Sequence, residues 1–250
     1  MTGWTGAAYP CGMATRRENS QVYTLCDDEV HVWYAELGGS AAELEACRVV
    51  LNADERERAD RLAHAEHRDR FAIARGVLRR LLGRYLHVDP GALVFGYGQH
   101  GKPFLRDGSL HFNMSHSHNL ALYAVTLERE VGIDIEWPRA KVAHEEIAAR
   151  FFSLEEQEAL AGLPAAQHRA AFYNIWTRKE AYVKARGDGI AAGLDTFSVS
   201  LGGEAALLNS DQGRTEIERW KLVALEPAPG YVAALCAEGD WRFSCFNWEC

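Results

Sequence analysis

Apolar residues along this chain recur at two distinct periods, and the changes of period mark out its elements. Alternation of period two predicts strands at Val30 to Glu36, Leu110 to Ser115, Leu120 to Leu127 and Val131 to Glu136, with later ones at Thr196 to Leu201, Glu216 to Leu225, Tyr231 to Ala237 and Trp241 to Phe246. A short apolar run at Ala92 to Phe95 adds another. Helical spacing predicts helices at Ala41 to Cys47, Asp54 to Ala63, His67 to Leu86, Val142 to Arg150, Ser153 to Leu160 and Ala165 to Arg186. Asp89-Pro90-Gly91 stops the third of these, and Ser153 with Glu156 forms a capping box at the start of the fifth. A long helix followed by a glycine-containing turn and an apolar strand occurs twice, which implies a weak internal duplication. The expected architecture is α+β, with a flexible leader over 1–28 and two similar α/β halves over 29–128 and 129–250 that meet along a cleft.

Two segments break the apolar pattern with charge. In Val131-Gly132-Ile133-Asp134-Ile135-Glu136 the strand period aims Asp134 and Glu136 to one face and sends Ile133 and Ile135 into the core. In the last long helix Phe172, Trp176, Glu180 and Lys184 share one stripe, so charge stands where core was expected. Three acids beside a lysine suggest a divalent-metal site acting on phosphate, because hard cations take oxygen ligands. His111, His116 and His118 invite a zinc reading, weakened by the absence of a third ligand at characteristic spacing. His116 beside Ser115 suits a phosphate monoester instead.

Composition narrows the field further. The 250 residues are 48% hydrophobic, enough to fill an ordinary core, and the net charge of −8 argues against a general grip on nucleic acid. No run has signal-peptide character or approaches the length of a membrane span, and the six scattered cysteines read as reduced thiols, so the expectation is a cytoplasmic protein without a membrane partner.

Over roughly Leu51 to Ser200 these segments together resemble the Sfp-type 4'-phosphopantetheinyl transferases, which move phosphopantetheine from coenzyme A to a serine of a carrier protein. The resemblance rests on Phe112-Asn113-Met114-Ser115-His116-Ser117, Gly132-Ile133-Asp134-Ile135-Glu136, Arg150-Phe151-Phe152-Ser153, and Trp176-Thr177-Arg178-Lys179-Glu180 with Lys184. It implies a pseudo-twofold, monomeric protein with coenzyme A in the cleft and an apo acyl or peptidyl carrier domain as partner. It further implies that Asp134, Glu136 and Glu180 bind Mg2+, and that Glu180, Lys184 and Asp134 carry the chemistry. Ser115, His116 and Arg75 correspond to contacts near the adenosine 3'-phosphate, Lys102 and Pro103 to an adenine-side turn, and Lys184 to a pyrophosphate contact. Glu55 falls where the family's basic helix carries a lysine, with Arg58 as its replacement. The alternatives are a non-catalytic scaffold binding coenzyme A and carriers, and a zinc hydrolase built on the three histidines.

Overall fold

A computed structural model describes residues 9–10, 24–139, 142–189 and 193–249. In chain order its strands are β1 (Tyr9–Pro10), β2 (Glu29–Glu36), β3 (Phe95–Tyr97), β4 (Pro103–Leu105), β5 (His111–Ser117), β6 (Leu120–Thr126), β7 (Val131–Glu136), β8 (Phe197–Val199), β9 (Leu207–Ser210), β10 (Trp220–Glu226), β11 (Val232–Glu238) and β12 (Arg242–Asn247). The helices are α1 (Ala41–Val49), α2 (Ala53–Asp60), α3 (Ala65–Leu86), α4 (His144–Phe151), α5 (Leu154–Ala161), α6 (Ala165–Arg186) and α7 (Arg214–Arg219).

The order of elements repeats. In each half a 22-residue helix, α3 or α6, ends on a left-handed residue, His87 or Gly187, which turns the chain out of the helix. A single 3-10 turn follows (Pro90–Ala92 or Leu194–Thr196), then a two-stranded sheet (β3–β4 or β8–β9) and an antiparallel pair (β5–β6 or β10–β11). The pairs join β2 and β7 respectively, and two four-stranded sheets result, ordered β12-β2-β6-β5 and β1-β10-β11-β7. Their outermost strands are exchanged. β12, late in the chain, pairs in parallel with β2, while Tyr9 and Pro10 pair in parallel with Leu225 and Glu226 of β10.

Three layers of core hold this together. Val77, Leu78, Leu81 and Leu82 of α3 pack on Trp33, Phe112 and Tyr123 of the first sheet. Phe172, Ile175 and Ala181 of α6 pack with Leu222, Ala234 and Cys236 of the second. Between the sheets, Val30, Val32 and Leu122 meet Ile133, Ile135, Leu225 and Leu235. At roughly 25 cal/mol per Å2 of apolar surface, these buried aliphatic faces supply the main drive to fold.

Several expectations change. The strand expected at Ala92 to Phe95 is a 3-10 turn followed by β3, because Asp89 caps Gly91 N and Pro90 fixes the first turn. The expected strand at Glu216 to Leu225 begins as helix α7, in which Glu216 accepts a hydrogen bond from Trp220 Nε1 four residues on. The short strands β4 and β9 carry too few residues for an alternating signal. Of the leader, Tyr9–Pro10 forms β1, and residues 1–8 and 11–23 lie outside the described residues. Cys245 is disulfide-bonded, which corrects the reading of reduced thiols at that position; scattered spacing in the sequence does not show which thiols the fold brings together. Cys26 and Cys236 are free, and Cys11 and Cys250 lie outside the described residues.

Candidate active site at the junction of the halves

The site begins with a strand that has no side chain at one position. On β7, Gly132, Asp134 and Glu136 face α6, while Ile133 and Ile135 enter the core between the sheets. A Cβ on Gly132 would lie 2.1 Å from the Ala181 carbonyl oxygen and 2.3 Å from the Ala185 backbone nitrogen. The helix therefore rests on bare strand backbone, and Ala181 and Ala185 give it the room. That close approach brings Glu180 and Lys184, the neighbours of those alanines, against Asp134.

Lys184 Nζ donates to Asp134 Oδ1 at 2.5 Å and to Ser115 Oγ at 3.1 Å, and Ser115 Oγ donates to the same carboxylate oxygen at 2.8 Å. Asp134 Oδ2 and Glu180 Oε1 are buried without a hydrogen-bond partner. Burial pushes the Glu180 carboxyl up to about 7, reinforced by the charges of Asp134 and Glu136 and opposed by Lys184. Glu136 is also raised, first by burial and then by Asp134. His116 is lowered by desolvation and by Lys184 and Arg70, and it stays exposed on the face of β5 opposite Ser115.

Asp134 and Glu136 thus act electrostatically on the Glu180 carboxyl, and Asp134 and Glu180 each keep one buried oxygen without a hydrogen-bond partner. Among the described residues no group of three or more His, Cys, Asp or Glu is placed so that it could hold a metal ion. The donor set is nonetheless all oxygen, the kind that a hard dication takes, and a buried orphan carboxylate oxygen is costly unless something pairs with it.

Other anticipated contacts are placed differently. Arg75 gives two hydrogen bonds to Glu55 Oε1, at 3.0 and 2.6 Å, and one to the Tyr97 hydroxyl; Arg79 donates to Glu55 Oε2 at 2.6 Å. Glu55 is therefore the buried acid between two arginines of α3, which explains why an acid stands at this position. Arg58 lies over the Phe71 ring, 5.7 Å from its centroid, and is not brought to the Lys184 cluster. Pro103 opens β4.

Lys102 spends its ammonium between the halves, on Glu130 Oε2 at 2.7 Å and the Ala185 carbonyl at 2.9 Å, while His111 holds the other oxygen of Glu130 at 3.1 Å. The hydrogen bond from His111, together with Lys102, lowers Glu130 to about 2. Because this pair is partly exposed, Lys102→Ala is expected to cost only about 1 kcal/mol, read as a lower urea midpoint. An unchanged midpoint would mean that the clamp contributes nothing.

The histidines do not converge. His111 faces Glu130, His116 points from the opposite side of β5, and His118, at φ 54°, packs on Trp137. Nor are Arg178 and Lys179 ligand groups: Arg178 donates to the Ser200 carbonyl, and Lys179 pairs with buried Glu156 at 2.8 Å. Phe152 is core, whereas Phe151 is half-buried beside Trp176.

Sequence reasoning gave Gly132 and Glu130 no role, and read Glu55 only as an acid where a lysine was expected. It also missed Asn113 and Ser117, although their alternation with Ser115 on β5 was the signal.

Comparison with known proteins shows the family of this chain. The family profile of the 4'-phosphopantetheinyl transferase superfamily matches residues 130–236, which contain β7 and α6. The chain is 42% identical over 231 residues to the 4'-phosphopantetheinyl transferase HetI of Nostoc sp. (strain PCC 7120), covering 90% of this chain and 92% of the relative. It is 31% identical over 205 residues to the 4'-phosphopantetheinyl transferase Sfp of Bacillus subtilis, covering 79% and 87%. Among solved structures, the holo-[acyl-carrier-protein] synthase of Thermotoga maritima aligns at a TM-score of 0.36 and 21% identity, covering 45% of this chain and 64% of that one. At 42% identity over nine-tenths of its length, the chain belongs to the 4'-phosphopantetheinyl transferase superfamily.

Proposed function

We propose that this protein transfers the 4'-phosphopantetheine of coenzyme A to a serine of an apo acyl or peptidyl carrier domain, releasing 3',5'-ADP. The supporting observation is the Lys184–Asp134–Ser115 cluster flanked by the orphaned oxygens of Asp134 and Glu180. Asp134, Glu136 and Glu180 are the residues that would hold Mg2+, which when bound supplies Lewis-acid neutralisation of the pyrophosphate.

The chain's own groups account for the remaining steps. The carrier serine oxygen bonds to the β-phosphorus of coenzyme A as the bond from that phosphorus to the bridging oxygen breaks, and the electron pair leaves with 3',5'-ADP. The serine proton passes to Glu180, whose raised affinity for protons in the chain by itself suits a general base near neutral pH. Lys184, hydrogen-bonded to Ser115, offsets charge on the 5'-phosphate of the departing 3',5'-ADP. No covalent enzyme intermediate is needed.

The partner surface follows from charge. With the chain at −8 and carrier domains typically acidic, docking rests on a local patch. Leu154 is 76% exposed next to half-buried Phe151, over which Arg150 lies at 5.0 Å. Arg139 contributes from the end of β7, and Ala140 and Lys141 of the same segment lie outside the described residues. We assign the working form as a cytoplasmic monomer; among the described residues no helix is long and apolar enough to cross a membrane.

Incubation with coenzyme A, Mg2+ and several apo-carriers, followed by intact mass measurement, tests the reading. The expected result is a gain of one phosphopantetheine on the carrier serine, with 3',5'-ADP released and none formed in EDTA. Binding of coenzyme A and carrier without mass gain would overturn it in favour of a scaffold.

A further inference from the structure

β5 and β7 lie side by side at the seam of the two sheets, yet each makes its backbone ladder elsewhere, β5 with β6 and β7 with β11. Three side chains on one face of β5 make the seam instead. Asn113 Oδ1 accepts from Ile133 N at 3.0 Å, Ser115 Oγ donates to Asp134 at 2.8 Å, and Ser117 Oγ both accepts from Trp137 N at 3.0 Å and donates to Glu136 Oε2 at 3.0 Å. The spacing of two residues on each strand keeps these contacts in step.

Ser117 differs from the other two. A hydroxyl has a single hydrogen, and here the fixed backbone N–H of Trp137 occupies the acceptor side, so the hydrogen is directed to Glu136. Trp137 is itself held by packing against His118 and Tyr231, and by Gly230, where a Cβ would lie 2.8 Å from its ring. The hydroxyl is therefore a fixed point, nine-tenths buried, that grips the end of β7 through main chain and side chain together. Glu136 is half-buried at the end of β7, and its carboxylate accepts this hydrogen bond from Ser117.

We infer that Ser117 is a positioning residue of the N-terminal half that orients the Glu136 carboxylate toward the space shared with Asp134 and Glu180. This rests on the reading of those acids as the Mg2+ ligands. Groups that orient a metal ligand from behind typically contribute 10–100-fold in metal affinity.

The test is Mg2+ titration calorimetry on the full chain with coenzyme A present, alongside thermal melting. Ser117→Ala is expected to weaken Mg2+ binding by about 10–100-fold, with metal-free coenzyme A binding unchanged. Ser117→Thr, which keeps the hydroxyl, is expected to restore the affinity. In transfer assays the loss in Ser117→Ala is expected to shrink as Mg2+ is raised, which general damage to the fold would not do. A folded Ser117→Ala with Mg2+ affinity within twofold of wild type overturns the inference alone. Loss of the native melting transition in Ser117→Ala but not in Ser117→Thr overturns it too, since the hydroxyl would then serve the fold. A wild-type chain that binds no Mg2+ overturns the reading of the acids, and this inference with it.

Discussion

Glu180→Gln is expected to abolish transfer, with a loss of at least about 10³-fold, and at the same time to raise the melting temperature of the metal-free protein at pH 8. The two effects have one cause. Burial, with Asp134 and Glu136 nearby, lifts the Glu180 carboxyl from its ordinary 4.5 to about 7. The folded chain then binds this proton more tightly than the unfolded chain does. Stability associated with the group is complete below about pH 4.5, declines as pH rises toward 7, and stays low above it. A shift of this size corresponds to a penalty on the order of 3 kcal/mol for ionised Glu180 at pH 8 in EDTA. Glutamine removes the charge and the penalty, together with the oxygen that accepts the serine proton. Turnover comparable to wild type would reject the role given to Glu180, and a lower melting temperature for the variant at pH 8 would reject the electrostatic account.

Gly132→Ala is expected to damage both fold and activity from a position that touches no substrate. Its new methyl would meet the Ala181 carbonyl oxygen at 2.1 Å and the Ala185 nitrogen at 2.3 Å, and backbone atoms cannot rotate aside as a side-chain tip can. α6 must lift from β7. Overpacking of this kind costs about 1–3 kcal/mol, and with backbone on both sides the upper end is expected, read as a lower denaturant midpoint. The lift would also carry Glu180 and Lys184 away from Asp134. A displacement of about 1 Å in a reacting constellation costs on the order of 100-fold, so kcat/KM should fall by about that factor. A variant with the wild-type midpoint and rate would show that the contact between helix and strand can yield.

Period was legible in the sequence, while partnership was not. The alternation in Val131 to Glu136 places Asp134 and Glu136 on one face, and the structure has Ile133 and Ile135 in the core as expected. The stripe Phe172, Trp176, Glu180, Lys184 likewise runs from stacked aromatic rings to the charged cluster. What a period cannot express is which distant group completes a pair. Glu55 bonds to arginines 20 and 24 residues away, and Lys102 finds Glu130 and the end of α6 across the seam. Both looked like surface charge or ligand contacts in one dimension. Gly132 stood in its motif without a role, because the cost of adding a side chain there is set by a helix some fifty residues later.

The exchanged outer strands make the halves mutually dependent. β12 belongs by sequence to the second half but completes the first sheet beside β2, while Tyr9–Pro10 borders β10 in the second. Cleaving the polypeptide near residue 128 would therefore strip each fragment of a hydrogen-bonded border and bare a row of unpaired amides, an invitation to aggregate. Neither piece should survive in isolation, and coexpressed pieces should regain order only by reclaiming each other's strands, like clasped hands that hold only while both are present.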